Sequence, residues 1–188
     1  MKKVILCAVM AIASLCASAQ SDIYVGGRVG FWHESSNKGP ATNQFTILPE
    51  VGYNLSDSWA IGTQIGFNYV HNCGLKESVN LFQFNPYARY TFFKSESNFV
   101  NLFVDGTVGV GAGWTSVGDE STKTAITYQV GLRPGIALNF DKHFSFVAHV
   151  GLLGFQGANN QAKLGGYANQ GGVMLDGNNV QFGFYYNF

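Results

Sequence analysis

The sequence is short of charge: only 12% of its 188 residues are Asp, Glu, Lys or Arg, about half the share of a soluble domain. The 11 basic and 11 acidic residues cancel, and the missing basic excess argues against a nucleic-acid-binding protein. Beyond residue 20, no apolar run approaches the roughly 18 residues that a membrane-spanning helix needs. Aromatic residues are abundant instead: 16 Phe, 9 Tyr and 3 Trp exclude a disordered chain. Together with 24 Gly they indicate a β protein of one domain.

The first residues have the pattern of a cleaved export signal. Lys2 and Lys3 precede the apolar run 4–15, and Ala17-Ser18-Ala19 is a small-residue cleavage site. We therefore predict a signal peptide at residues 1–19 and a single β-barrel domain at residues 20–188. Lipid attachment at Cys16 is the alternative, but Leu15 stands where a small residue is needed. Removal of the signal leaves Cys73 alone, which excludes an intramolecular disulfide.

The remaining chain alternates between apolar and polar residues in eight segments, which predicts eight β-strands. The segments are 22–33, 44–54, 59–70, 79–93, 99–114, 123–140, 144–156 and 179–188. Tight turns at residues 57–58, 95–96 and 141–142 alternate with long links at residues 34–43, 71–78, 115–122 and 157–178. Short turns at one end and long links at the other are typical of an antiparallel, up-and-down transmembrane β-barrel. They predict short periplasmic turns and long extracellular loops.

The chemistry of the two strand faces decides between a membrane barrel and a soluble one. Alternate residues of a strand share one face, and we call each such set a parity. One parity is almost wholly apolar and carries no Asp, Glu, Lys or Arg within the strand interiors. In the seventh segment this parity comprises Phe144, Phe146, Val150 and Leu152. A soluble lipocalin-like barrel would turn such a face inward and cover its outside with Lys and Glu. Only five formal charges occupy the polar face, so we expect the apolar face to contact lipid, with aromatic girdles near both strand ends.

The last eight residues resemble the terminal strand of outer-membrane barrels, in which a polar residue, a glycine and two aromatic residues recur at fixed positions. Gln181, Gly183, Tyr186 and Phe188 match this pattern. The resemblance implies that the barrel-assembly machinery reads this strand. The whole mature chain is similar to small OmpA/OmpX-type barrels of the porin-like superfamily, and Gln20 after the signal resembles exported proteins of Bacteroidota. We expect an outer-membrane protein of a Gram-negative bacterium, without a peptidoglycan-binding domain after the barrel.

The inward parity places six titratable side chains at about mid-membrane depth, five to eight residues from the short-turn end. They are Arg28, Glu50, Arg89, Asp105, Arg133 and His149. If each hairpin is symmetric about the middle of its connection, at residues 39, 97 and 141, residues at equal distances from that middle are opposite each other. This places Arg28 opposite Glu50, Arg89 opposite Asp105, and Arg133 opposite His149. We predict a polar network that plugs the lumen, with inward glycines leaving room for tyrosines and arginines. The alternative is that these side chains line an ion or proton path.

These observations favour a barrel with a structural or surface-interaction role, such as adhesion or ligand contact, rather than an enzyme. A narrow porin-like channel for ions or small solutes is the first alternative. A lipid A-modifying enzyme is the second, because His33-Glu34-Ser35 resembles the His-x-Ser element of PagL-type deacylases. In that family the element lies in a late strand, whereas here it leads into a loop.

The predicted barrel implies its partners. We expect outer-membrane lipid and lipopolysaccharide around the wall, and an extracellular ligand at the long loops. We expect the link 157–178 to be a solvated loop and Cys73 to be an incidental thiol. No His/Cys/Asp cluster has metal-ligand spacing, and no glycine run joins a strand to a helix. The sequence therefore predicts neither a metal site nor a cofactor, and no nucleic-acid partner.

Overall fold

The structure, a computed structural model, describes residues 22–36, 39–74, 77–117, 120–164, 167–174 and 180–188. These residues are nearly all in strands, with one five-residue helix. The elements are β1 (Ile23–Ser36), β2 (Gly39–Asn54), β3 (Trp59–Asn72), β4 (Glu77–Lys94), β5 (Val100–Val117), β6 (Glu120–Asn139), β7 (Phe144–Val150), β8 (Leu152–Ala158), α1 (Asn160–Leu164), β9 (Gln170–Met174) and β10 (Val180–Asn187). No helix among them has the length and hydropathy to cross a membrane.

The strands close into an antiparallel barrel of eight. Each strand from β1 to β6 pairs with the next along the chain, β6 pairs with β7, β7 with β10, and β10 with β1. β8 continues the line of β7, and β9 pairs with β8, so the seventh and eighth strands of the barrel each consist of two pieces. The eight-stranded up-and-down barrel predicted from the sequence is confirmed.

The alternation of the two faces also governs exposure. The apolar parity points outward, with Phe31, Phe184 and Val29 each more than 60% exposed, whereas the inward parity is largely buried. An apolar outer surface with a polar interior is the reverse of a soluble barrel and matches a lipid-facing wall. The tight turns at residues 55–58, 95–99 and 140–143 mark one end of this wall, here called the short-turn end; the opposite end is the long-link end.

The seventh strand departs from the predicted alternation at Gly151. This glycine has a φ of 69°, in the left-handed region that suits glycine. Gly135 pairs with His149 before the break and Leu132 pairs with Leu153 after it, so one extra residue is inserted. Leu152, predicted to face lipid, is therefore buried at 6% exposure, while Leu153 turns outward at 44%. The prediction for Leu152 was wrong because a one-residue bulge exchanges the faces.

The strands run further at the long-link end than the sequence pattern indicates. β4 and β5 each have 18 residues and β6 has 20. At about 3.3 Å per residue and a tilt of about 40°, 18 residues rise roughly 45 Å, against an apolar band of about 25 Å. Most of the described residues in the first three predicted links are in strands, and the hairpins project beyond the apolar band of the wall.

The turn between β6 and β7 is organised by one carboxylate. Asp141 Oδ1 accepts hydrogen bonds from the backbone N–H groups of His143 at 2.6 Å and Phe144 at 2.7 Å. The N–H groups of Phe144 and His143 hold the pKa of Asp141 below its usual range, because they stabilise the charged form. A depressed folded-state pKa stabilises the fold above the unfolded pKa of about 3.9, and this contribution disappears as pH falls through the folded value.

We expect Asp141→Ala to lower the urea midpoint of unfolding at pH 7, with a smaller difference from wild type as the pH falls below about 4. Urea unfolding curves in lipid vesicles, recorded from pH 7 to pH 3, measure this difference. Asp141→Asn retains an acceptor oxygen and serves as the control. A difference that stays constant over the whole pH range would contradict the role of the carboxylate.

Candidate functional site

The centre of the lumen holds a buried ion pair between β4 and β5. Arg89 is directly opposite Asp105 in the ladder. Arg89 Nε donates to Asp105 Oδ1 at 2.7 Å and Nη2 donates to Oδ2 at 2.8 Å. Both side chains are buried. This two-pronged geometry is the strongest form of an arginine–carboxylate contact.

Glu50, on β2, collects hydrogen bonds from three further strands. Its Oε1 accepts from Tyr87 Oη at 2.5 Å and from Tyr185 Oη at 2.7 Å. Its Oε2 accepts from Gln64 Nε2 at 2.8 Å. Arg89 Nη2 lies 3.5 Å from Oε1. This buried carboxylate therefore has both oxygens occupied and joins β2 to β3, β4 and β10 across the lumen.

His149 completes the cluster around Asp105 from β7. Its Nε2 donates to Asp105 Oδ2 at 2.8 Å, and its ring meets the Phe103 ring edge-on at 5.2 Å between centroids. His149 is opposite Gly135 and Gln181, so the predicted pairing with Arg133 was wrong. The turn is centred one residue later than residue 141, which displaces the register by two.

Arg28 is likewise displaced from its predicted partner. It is opposite Leu48, and Glu50 is opposite Gly26. The pairing of β1 with β2 is centred on position 38 rather than 39, and this difference of one residue in the centre displaces the register by two. The guanidinium of Arg28 instead donates to the side-chain carbonyls of Gln64 and Gln181.

Arg133 is the remaining predicted lumen residue, and it does not join the ion pairs of the other described lumen residues. It is opposite Asp105 in the β5–β6 ladder. The ion pairs of the described residues nevertheless do not include it, because Asp105 is engaged by Arg89 and His149. Arg133 Nη2 donates to Gln129 Oε1 at 3.0 Å, a neutral acceptor on its own strand.

Aromatic rings fill the space around the central ion pair. The guanidinium carbon of Arg89 lies 4.1 Å from the Phe103 ring centroid and 5.2 Å from those of Tyr87 and Tyr185. Tyr24 joins through a 2.6 Å hydrogen bond to Tyr87. We call Tyr24, Glu50, Tyr87, Arg89, Phe103, Asp105, His149 and Tyr185 the mid-barrel layer.

Glycines directly opposite in the neighbouring strands make room for these rings. A Cβ at Gly52 would overlap the Tyr24 ring, one at Gly62 the Tyr87 ring, and one at Gly135 the Phe103 ring. Tyr24 and Phe103 were not singled out by sequence reasoning. Their inward parity, opposite inward glycines, is the signal that could have identified them. The layer therefore packs tightly across the lumen.

Two separate cavities flank the mid-barrel layer. The outer cavity, on the long-link side, has a volume of about 150 Å³ and is lined by Arg133, amide side chains and Tyr167. The inner cavity, on the short-turn side, has a volume of about 460 Å³ and reaches Arg89, Tyr24, Phe103 and Tyr185 of the layer. The two cavities share no lining residue.

The segment after β8 folds into the barrel mouth rather than forming the solvated loop that we expected. Ala162 of α1 is fully buried in a cluster with Val79, Leu81, Ala125 and Ala158. Asn159 caps the helix, since its Oδ1 accepts from the backbone N–H of Ala162 at 3.0 Å. The expectation was wrong for this part of residues 157–178, because inward apolar residues at the ends of β4 and β6 offer a partner for α1.

Tyr167, beyond α1, closes the outer cavity from the long-link side. Its hydroxyl accepts a hydrogen bond from Asn68 Nδ2 at 2.5 Å, across the lumen from β3. Thr115 Oγ1 on β5 donates to the backbone carbonyl of Gln161 at 3.1 Å. The inserted segment is thus bonded to two different parts of the wall.

The residues considered for enzymatic chemistry do not assemble a hydrolytic site in the described part of the chain. His33 Nδ1 is 2.6 Å from the amide oxygen of Asn43, and Asn43 in turn bonds Cys73 Sγ at 3.3 Å. The side chains of Glu34 and Ser35 lie outside the described residues. No group of three His, Cys, Asp or Glu that could hold a metal ion occurs among the residues that the structure describes.

The residues of the terminal-strand pattern divide between the two faces of β10. Gln181 faces the lumen as an acceptor for Arg28, and Gly183 is buried against that arginine. Tyr186 and Phe188 contact each other, with ring centroids 4.8 Å apart.

Comparison with known proteins agrees with this architecture. The family model described as "Outer membrane protein beta-barrel domain" matches residues 4–188. Among solved structures, the N-terminal β-barrel domain of Pseudomonas aeruginosa OprF is similar, with a TM-score of 0.52 and 14% identity. That match covers 90% of this chain and 98% of the OprF domain, and at this identity it shows the fold alone. No curated protein matches the sequence.

Proposed function

Because this chain belongs to the family of outer membrane protein β-barrel domains, we propose that it is a closed, non-enzymatic barrel of the outer membrane with a structural or surface-contact role. The observation that carries this proposal is the mid-barrel layer, which fills the lumen between two unconnected cavities. Eight strands enclose an interior that side chains can fill, so such a barrel needs no open pore.

The proposed orientation puts the short turns in the periplasm and the long-link end outside the cell. Residues 1–19 serve as the export signal, and the barrel-assembly machinery reads Gln181, Gly183, Tyr186 and Phe188 in β10. Lipid and lipopolysaccharide surround the apolar wall. The projecting hairpins then offer the surface for an extracellular ligand, because they extend beyond the apolar band.

The second candidate function is a narrow channel for ions or small solutes. It is favoured by the two cavities themselves: the inner cavity reaches Arg89 and Tyr185 of the layer, and the outer cavity lies on the long-link side. A channel would require the layer, and the side chains between it and the outer cavity, to rearrange. A closed lumen predicts no unitary conductance, whereas a channel predicts steady unitary steps.

Lipid A chemistry has weaker support. The exposed His33 bonds the amide of Asn43, and no carboxylate among the described residues is bonded to its ring to orient it as a general base. We therefore propose no catalytic residue.

The orientation leads to a labelling prediction at Cys73, an exposed free thiol just beyond β3. It lies 14 residues from Trp59, a rise of about 35 Å that exceeds the apolar band. We expect a membrane-impermeant maleimide to label Cys73 on intact Gram-negative cells. The measurement is the labelled fraction of the purified barrel.

The matched control places the thiol at the opposite end. In the variant Cys73→Ser with Glu96→Cys, the exposed turn after β4 carries the thiol, and labelling should require permeabilisation of the outer membrane. Labelling of Glu96→Cys, but not of Cys73, on intact cells would overturn the proposed orientation.

A further inference from the structure

The charges at the centre of the lumen do not balance. Three guanidinium groups, of Arg28, Arg89 and Arg133, face two carboxylates, of Glu50 and Asp105, among the described residues at this depth. Glu77, the inward carboxylate of β4, is six residues from the cavity residue Gln83, about 20 Å along the strand. One positive charge is therefore left without a counterion.

The two carboxylates are already fully engaged. Asp105 is bound by Arg89 and His149, and Glu50 accepts from two tyrosines and Gln64 with Arg89 at 3.5 Å. Arg28 is bonded to two glutamine side chains and Arg133 to one. Burying a guanidinium with neutral acceptors alone is costly, so a negatively charged ligand would be strongly favoured beside it.

Arg133 opens onto a space that can receive such a ligand. The outer cavity of about 150 Å³ holds several waters or one small anion. Its lining contains Arg133 and no Asp or Glu. Neutral amide side chains share this lining with the arginine, among them Gln129, Asn85, Gln181 and Asn68. A few amide groups and one charged side chain in a cavity can orient a small ligand, and the positive charge selects an anion.

We propose that the outer cavity beside Arg133 binds a small free oxyanion, a phosphate or a carboxylate. The planar guanidinium fork matches the paired oxygens of these groups. The amide N–H groups of the lining supply further hydrogen bonds, and Tyr167 closes the cavity above the bound anion. The site is separate from the mid-barrel layer and does not depend on whether the lumen conducts.

The test is calorimetric titration of the purified barrel, in an uncharged detergent at constant ionic strength, with inorganic phosphate. We expect one saturable site per barrel, competed by acetate. Arg133→Gln should weaken the affinity by about ten- to a hundredfold, the loss expected for a charge-assisted hydrogen bond. Lys163→Gln removes an exposed charge of α1 outside the cavity and should leave the affinity unchanged.

A second variant keeps the proposal testable if Arg133→Gln fails to fold. Gln129→Glu puts a carboxylate at the oxygen that now lies 3.0 Å from Arg133 Nη2. This internal counterion should abolish phosphate binding and raise the unfolding temperature of the ligand-free barrel. A purely structural role for Arg133 does not predict the loss of binding.

Three results would overturn the proposal. They are the absence of saturable phosphate binding by wild type, an equal affinity in Arg133→Gln, and retention of binding in Gln129→Glu. A separate titration with vesicles of phosphatidylglycerol distinguishes the source of the oxyanion. Binding of these vesicles that depends on Arg133, without binding of free phosphate, would assign the site to a lipid headgroup and overturn the free-anion proposal.

Discussion

Arg89→Met should lower the free energy of unfolding by about 3–5 kcal/mol, the cost of leaving a buried charge without its partner. Arg89 makes both hydrogen bonds to Asp105 and lies 3.5 Å from Glu50, so the substitution strands two buried carboxylates at once. Methionine preserves most of the packing against Phe103, which separates the loss of charge from the loss of volume. Guanidinium-induced unfolding in lipid vesicles, followed by tryptophan fluorescence, measures the change.

Two further variants serve as a surface control and as a partial rescue for Arg89→Met. Lys142→Met removes an exposed cation from the turn between β6 and β7, and it should change stability by less than about 0.5 kcal/mol. Adding Asp105→Asn to Arg89→Met removes one of the stranded charges and should recover part of the loss. A loss of less than about 1 kcal/mol in Arg89→Met would mean that the ion pair does not hold the layer together.

Glu50→Ala should lower the free energy of unfolding by about 3 kcal/mol, because Tyr87, Tyr185 and Gln64 lose a common buried acceptor. Glu50→Gln keeps one acceptor oxygen and should fall between alanine and wild type. The same vesicle unfolding experiment measures both variants. Equal stability of Glu50→Ala and wild type would contradict a network that ties β2 to the opposite wall.

The two substitutions should also be coupled. Arg89 and Glu50 touch the same tyrosines, so the double variant Arg89→Met with Glu50→Ala should lose less stability than the two single variants added together. Additive losses would indicate two independent clusters rather than one layer.

The closed barrel and its polarity follow from the sequence because alternation has a period of two wherever one face is apolar and the other polar. The same parity identifies the inward charges. The pairing of Arg89 with Asp105 also follows, since the turn between their strands is centred close to residue 97. These features depend on local pattern, which a single sequence records.

The other predicted contacts depend on the strand register, which is set at the turns and bulges. At these places the apolar–polar alternation gives little information. The β1–β2 hairpin is centred one residue earlier than residue 39, which moves Arg28 from Glu50 to Leu48. The turn between β6 and β7 is centred one residue later than residue 141, which moves His149 from Arg133 to Gly135. The bulge at Gly151 has a trace in the sequence, because the adjacent Leu152 and Leu153 interrupt the alternation. Such an interruption is the signal for a change of face.

The inserted segment had no comparable local signal. Residues 157–178 are rich in Asn, Gln and Gly, which is typical of a solvated loop. Ala162 is buried because Val79 and Leu81, far away in sequence, present an inward apolar surface at the barrel mouth. Apolar residues on an otherwise polar inward parity could have indicated that something covers them.

Planar-bilayer recording of the purified mature protein tests the closed lumen most directly. The mid-barrel layer predicts a silent bilayer at moderate voltage and salt, after insertion has been verified by resistance to protease. Steady unitary steps from the wild-type barrel would contradict the closed lumen and favour the narrow channel.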